Sequence, residues 1–300
     1  MIAEHAVHCR AVRNDAAVLC GDDYPFGDSL WPDEAQGATS KSLIVLNPSL
    51  SLGQRVPGSS RGAPAKENQV TRDVAREHGG PAVNSLVLSL VEAMQIRPHD
   101  DLLLVIDVQN DFCPGGALAV ADGDAVVPVI NRLSQRFDHV VLTQDWHPAG
   151  HRSFATAHPG SAPFDTVRMS YGEQTLWPDH CVQGTEGAAF HPQLSTERAE
   201  LVIRKGFRGE IDSYSAFFEN DRHTPTGLAG YLRDRGLQRL FLVGLATDYC
   251  VHYSAVDARR LGFETIVVEA GCRAIDLAGS LASARTAMQQ AGVQRIGDIG

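Results

Sequence analysis

Two textures of hydrophobic and polar residues meet near residue 94. Residues 1–93 are punctuated by Gly, Pro, Ser and Asn, as in NPSLSLGQRVPGSSRGAPAKENQ, with only brief apolar runs such as SLIVL and SLVLSLV. From residue 101 short apolar runs alternate with segments of helical spacing, the signature of βαβ units and a parallel sheet. Strands are predicted at LLLVI (102–106), HVVLT (139–143), LVIR (201–204), RLFLVG (239–244) and ETIVVE (264–269), and helices near 124–137, 225–235, 248–261 and 278–291. The change of texture predicts one α/β domain over 94–300 and an irregular, disordered or loosely attached extension over 1–93. Met94 is the only methionine between Met1 and Met169, so translation beginning at Met94 is a further expectation. A short regulatory or interaction arm is the alternative.

Composition adds exclusions. The 300 residues are 43% apolar and 21% charged with a net charge of −10 and no basic block, so a nucleic acid or anionic membrane has no electrostatic footprint here. A small molecule is the expected partner, and self-association into a homo-oligomer stays open. No apolar stretch approaches the roughly 18 residues of a membrane span, and charges break the first 20 residues where a signal peptide needs an apolar core. A cytoplasmic location is expected, and the six scattered cysteines, with no CxxC among them, are expected to be thiols. Neither G-x-G-x-x-G after the first strand nor G-x-x-x-x-G-K-[ST] occurs, which removes the main support for a nucleotide site.

Open α/β sheets place their chemistry beyond the carboxyl ends of the strands. The residues that follow the first four predicted strands there are Asp107, then Asp145 and His147, then Lys205, then the turn LATDYC ending at Cys250. Buried cysteine is common filler, but Cys250 falls at the predicted start of a helix, where Thr247 and Asp248 are good N-cap residues and a thiol's pKa is lowered. Lys205 is the only lysine after residue 66, the other cations there being arginines. A compact ammonium at a strand end is either solvated or the partner of a carboxylate or thiolate. Asp107 ends an apolar strand and needs such a partner, because an unpaired buried carboxylate is costly.

A second cluster, DWHPAGH followed by WPDH, supplies Asp145, His147, His151 and His180. Carboxylate and imidazole donors suit zinc, iron(II) or manganese, and a mixed set suits a catalytic ion better than a structural one.

These segments together resemble the nicotinamidases, within the isochorismatase-like superfamily of cysteine hydrolases. The match is carried by DVQNDFCPGGALAV (107–120), TQDWHPAGHRSF (143–154), LWPDHCVQGTEGA (176–188), RKGF (204–207) with IDSYSAF (211–217), and GLATDYCV (244–251), in family order across roughly 101–296. The resemblance implies a three-layer, Rossmann-like parallel sheet flanked by helices and a triad of Asp107, Lys205 and Cys250. It implies one divalent metal ion on Asp145, His147 and His180, with His151 a ligand in some relatives and water in its place in others. Phe112 and Trp177 would sandwich a pyridine ring with Tyr214 nearby. A cis, non-proline peptide would precede Ala246, whose N–H would join that of Cys250 in an oxyanion hole.

The implied activity is hydrolysis of nicotinamide to nicotinate and ammonia through a Cys250 thioester, in NAD salvage. The nearest rival is another amidase of the superfamily, acting without metal on a carbamoyl or ureido substrate. A non-catalytic binding module on the same fold is the rival of a different class.

Overall fold

The computed structural model describes residues 95–299; the expectation for 1–93 lies outside the described residues. A six-stranded sheet has the order β5-β2-β1-β6-β7-β8, from β1 (Asp101–Ile106), β2 (His139–Asp145), β5 (Leu201–Lys205), β6 (Arg239–Leu245), β7 (Glu264–Arg273) and β8 (Gln294–Ile296). Every pairing within it is parallel. Among the described residues four α-helices follow strands: α1 (Val126–Ser134), α2 (Leu228–Asp234), α3 (His252–Arg260) and α4 (Ser280–Gln290).

The continuous apolar runs arise because both sheet faces are covered. Alternate residues of β1 serve different cores: Leu103 and Val105 pack with Val126, Ile130 and Leu133 of α1. Leu102, Leu104 and Ile106 pack with Leu228 and Leu232 of α2, Val256 of α3 and Met288 of α4. β6 divides likewise, Phe241 and Val243 to the first core and Leu240 and Leu242 to the second. The predicted helix–sheet–helix layering is thus present.

The strand order decides where the site lies. From central β1 the chain runs outward through β2 to β5, then crosses to β6 on the other side of β1 and continues outward. The reversal opens a crevice between the carboxyl ends of β1 and β6, the usual ligand position in such sheets. Gly244 lets the two strands approach there: at φ +120° it lies so close that a Cβ would strike the backbone of Ile106.

Three elements differ from the sequence reading. β7 continues through Cys272 to Arg273, beyond the strand predicted over 264–269; Gly271 allows this, since a Cβ there would lie 2.7 Å from a Val243 methyl. The antiparallel hairpin of β3 (Thr166–Met169) and β4 (Gly172–Thr175) was not anticipated, and neither was the three-residue edge strand β8. All three of these strands are short and carry exposed residues, so none produces an apolar run.

Candidate active site

Lys205, at the end of β5, is fully buried and gathers the strand ends. Its Nζ lies 2.8 Å from Asp107 Oδ2 and donates to Asp145 Oδ1 at 2.8 Å, to the Ser213 carbonyl at 2.9 Å and toward Cys250 Sγ at 3.4 Å. Of the two sequence readings of this lysine, the structure shows the paired one. Asp107 leaves β1 in the left-handed region at φ +50°, which Asp tolerates better than most side chains. Thr143 of β2 donates its hydroxyl to Asp107 Oδ1 at 2.6 Å and accepts the Asp107 N–H at 3.2 Å.

Burial dominates the electrostatics. It raises the Asp107 carboxyl above its ordinary value, with Lys205 opposing and Asp145 adding to the rise. It also pushes the Cys250 thiol well up, against the pull of Lys205, so Cys250 rests as a thiol. For Lys205 burial works against the charge, but Asp107 and Asp145 outweigh it and hold the ammonium protonated. A neutral thiol beside a basic carboxylate and a fixed ammonium is an arrangement for general-base activation of a nucleophile.

Asp145 turns its other oxygen the opposite way. Oδ2 lies 3.2 Å from His147 Nε2 and 3.5 Å from His180 Nε2, and donor atoms of the three residues fall within 4.8 Å of one another. Both imidazoles are oriented by the backbone: His147 Nδ1 donates to the Gly206 carbonyl at 2.8 Å and His180 Nδ1 to that of Pro178 at 2.8 Å. This turns each Nε2 toward Asp145 Oδ2, the orientation carbonyl partners give to metal-binding histidines. Gly206 is required for the first contact, because at φ +66° its Cβ would sit 2.8 Å from His147 Nδ1. One carboxylate and two oriented imidazoles, all buried, fit a divalent ion.

His151 is not part of that set. Its Nδ1 is held by Ser153, accepting the backbone N–H at 3.1 Å with the hydroxyl at 2.7 Å, and its Nε2 donates to the Arg208 carbonyl at 2.9 Å. With both nitrogens engaged, it stands behind His147, ring to ring at 4.4 Å.

A narrow pocket opens over Cys250, with Phe112, Trp177, Tyr214, Ala246, Asp145 and His180 in its walls. Trp177 is fixed by backbone bonds to Ser153 and Ala155, and its Nε1–H donates to Tyr214 Oη at 3.0 Å. The Leu245–Ala246 peptide is cis. All the aromatic and nucleophilic residues singled out in the sequence therefore face one cavity.

Around the nucleophile the local structure differs from expectation. Cys250 lies in a π-helical turn, Thr247–Val251, ahead of α3, and neither Thr247 nor Asp248 caps it. The Asp248 carboxylate instead accepts the N–H groups of Ile275 and Asp276 at 3.0 and 2.7 Å and the Ser280 hydroxyl at 2.5 Å. Sequence reasoning also missed Asp212, Tyr249 and Ile275 in the pocket wall and the tie made by Gln109. The Gln109 side chain bonds both backbone groups of Asp145, at 2.8 Å each. Asp212 and Tyr249 stand inside the motifs IDSYSAF and TDYC, which were the available signals.

The isochorismatase domain model matches residues 101–296. The chain is similar to the nicotinamidase of Acinetobacter baylyi, at 53% identity over 207 residues, 69% of this chain and 97% of the relative. Among solved structures it is similar to PnC1 of L. infantum in complex with nicotinate, at 40% identity and TM-score 0.60 over 68% of this chain and 96% of that one. It is also similar to the pyrazinamidase of Pyrococcus horikoshii in complex with zinc, at 33% identity and TM-score 0.54 over 66% of this chain and 99% of that one.

Proposed function

The chain belongs to the isochorismatase-domain family, and from that premise we propose that it is an amidohydrolase converting nicotinamide to nicotinate and ammonia through a thioester on Cys250. The observation that carries the reading is the Lys205 ammonium, shared between Asp107, Asp145 and the Cys250 thiol at the floor of an aromatic-walled pocket.

In this reading Asp107 accepts the Cys250 proton, its basicity raised by burial, while Lys205 stays charged and steadies both the carboxylate and the forming thiolate. The thiolate adds to the carboxamide carbon, and the N–H groups of Ala246 and Cys250 receive the oxyanion; such donors contribute about 3–4 kcal/mol each in studied hydrolases. Asp107 returns its proton to the departing ammonia. The same carboxylate then takes a proton from the water that cleaves the thioester, releasing nicotinate and restoring the thiol. Phe112 and Trp177 hold the ring between them, with Tyr214 fixing the indole.

Asp145, His147 and His180 would hold one divalent ion, zinc, iron or manganese, and Asp145 would link it to the triad through Lys205. When bound, the ion supplies a Lewis-acid partner for the pyridine nitrogen, which would make ring position the basis of specificity. The zinc in the similar pyrazinamidase supports this reading.

The family match at 101–296 supports residues 94–300 as the catalytic unit and 1–93 as an appendage. Among the described residues no helix is long and apolar enough to cross a membrane; a cytoplasmic place in NAD salvage fits the proposed substrate.

An ammonia-release assay on the full chain tests the reading. Nicotinamide is expected to be turned over and Cys250→Ala to abolish turnover with metal uptake retained. Preference for an N-carbamoyl or ureido substrate would overturn the substrate assignment, and substantial activity of Cys250→Ala would overturn the nucleophile.

A further inference from the structure

Beyond the three expected ligands, the wall of the pocket holds another acid, Asp212, which is 2% exposed. Its Oδ1 lies 4.0 Å from His147 Nε2, the imidazole nitrogen turned toward Asp145 Oδ2. Among the described residues neither lysine nor arginine pairs with it. Both oxygens are anchored, Oδ1 by the Ser213 N–H at 2.8 Å and Oδ2 by Gln174 Nε2 at 2.7 Å. Each keeps a second lone pair, so the carboxylate is held still with acceptor capacity to spare.

We propose that Asp212 is a positioning residue of the cation site: it stands outside the Asp145–His147–His180 set and accepts hydrogen bonds from water carried by the ion. The inference rests on the reading of those three residues as metal ligands.

Two arguments support it. Three buried carboxyl groups, Asp107, Asp145 and Asp212, gather around a single ammonium, Lys205, an acidic surplus that suits a divalent ion. The ion-pairing partner within 4.0 Å of Asp212 is His147, one of the three residues read as ligands, so the carboxyl belongs to the cation side of the pocket. Its placement also fits an outer partner better than a ligand, since its donors fix it where it does not join the three atoms that converge. Through Gln174, whose Nε2 also donates to Tyr214 Oη at 2.9 Å, Asp212 further ties the cation side of the pocket to its aromatic wall.

The test is a Zn(II) titration of the metal-free full chain against a chromophoric chelator, without substrate, for the wild type and Asp212→Asn. The amide keeps the size and the Ser213 contact but loses the charge. Zinc affinity is expected to fall about 10- to 100-fold, the usual cost of losing an outer partner. Gln174→Met, which removes the hydrogen bond to Oδ2 and leaves the carboxylate in place, is expected to keep its zinc affinity, because the charge remains. Equal zinc affinity in the wild type and Asp212→Asn would overturn the proposal, as would an equal loss of affinity in Gln174→Met, which marks a structural role. Failure of the wild type to take up zinc would overturn the ligand reading itself, a separate outcome.

Discussion

Asp145 and Lys205 are register partners across β2 and β5, and their side chains meet again at 2.8 Å, Oδ1 to Nζ. One carboxylate thus serves two sites, with Oδ1 on the ammonium that faces the thiol and Oδ2 on the histidines. Parallel pairing of adjacent strand ends produces this link directly, since the last residues of neighbouring strands emerge side by side.

Removing the ammonium should therefore cost stability as well as activity. Lys205→Met leaves Asp107 and Asp145 buried without their shared cation, a change that typically destabilises by about 3–5 kcal/mol. Adding Asp107→Asn should recover part of that loss without restoring turnover. Denaturant midpoints with ammonia release check both, and a single variant as stable as the wild type would refute the pairing argument.

The thiol pKa values set an alkaline limit. Burial raises Cys250 well above its ordinary value, Cys113 to about 11 with Asp124 adding, and Cys272 to about 12. Unfolded thiols titrate near 8.5, so the folded state holds these protons more tightly. The resulting stability is full below that pH and is lost as pH rises through the folded values. Unfolding midpoints should fall progressively above about pH 9. Iodoacetamide labelling of Cys250 should likewise keep rising past pH 9 in the substrate-free protein. A labelling rate that levels off near neutrality would show a preformed thiolate and contradict this account.

Tyr214 is the acceptor for two buried donors, Trp177 Nε1 and Gln174 Nε2. Tyr214→Phe removes that acceptor, and a buried donor left without a partner costs about 1–3 kcal/mol. The indole should then loosen, raising KM for nicotinamide roughly tenfold while kcat changes little, given that about 1.4 kcal/mol is a factor of ten. Steady-state kinetics separate the two; a fall in kcat at unchanged KM would place Tyr214 in the chemistry instead.

The sheet and its chemically active edge were legible because buried parallel strands are continuous apolar runs and the residues after them are fixed by topology. Asp107, Asp145, Lys205 and Cys250 could be read by position alone. What was not legible depends on contacts distant in sequence. His151 reads as a ligand by residue type, and only the fold shows its nitrogens engaged by Ser153 and Arg208. Asp212 reads as loop polarity until His147, 65 positions away in the numbering of the chain, is seen beside it. The β3–β4 hairpin, which supplies Gln174, has too few buried residues to leave a pattern.

Asp248 illustrates the same limit and yields the last prediction. A capping residue by type, it instead holds three groups of the segment leading into α4, two backbone N–H groups and the Ser280 hydroxyl. That segment contains Asp276 and Ala278 in the left-handed region, at φ +54° and +50°, conformations that side-chain-bearing residues keep only when neighbours enforce them. It also delivers Ile275 to the pocket, so Asp248 joins the turn carrying Cys250 to the wall opposite. Asp248→Ala leaves both N–H donors and the hydroxyl without their acceptor and should lower stability by about 1–3 kcal/mol. Turnover should fall as the turn and wall lose their common anchor. Zinc uptake should be unchanged, because Asp145, His147 and His180 are held by β2, Gly206 and Pro178. Unfolding midpoints, kcat and a zinc titration on the one variant check the three expectations together. Loss of zinc binding at retained turnover would reverse the assignment, placing Asp248 in support of the cation site and not of the nucleophile.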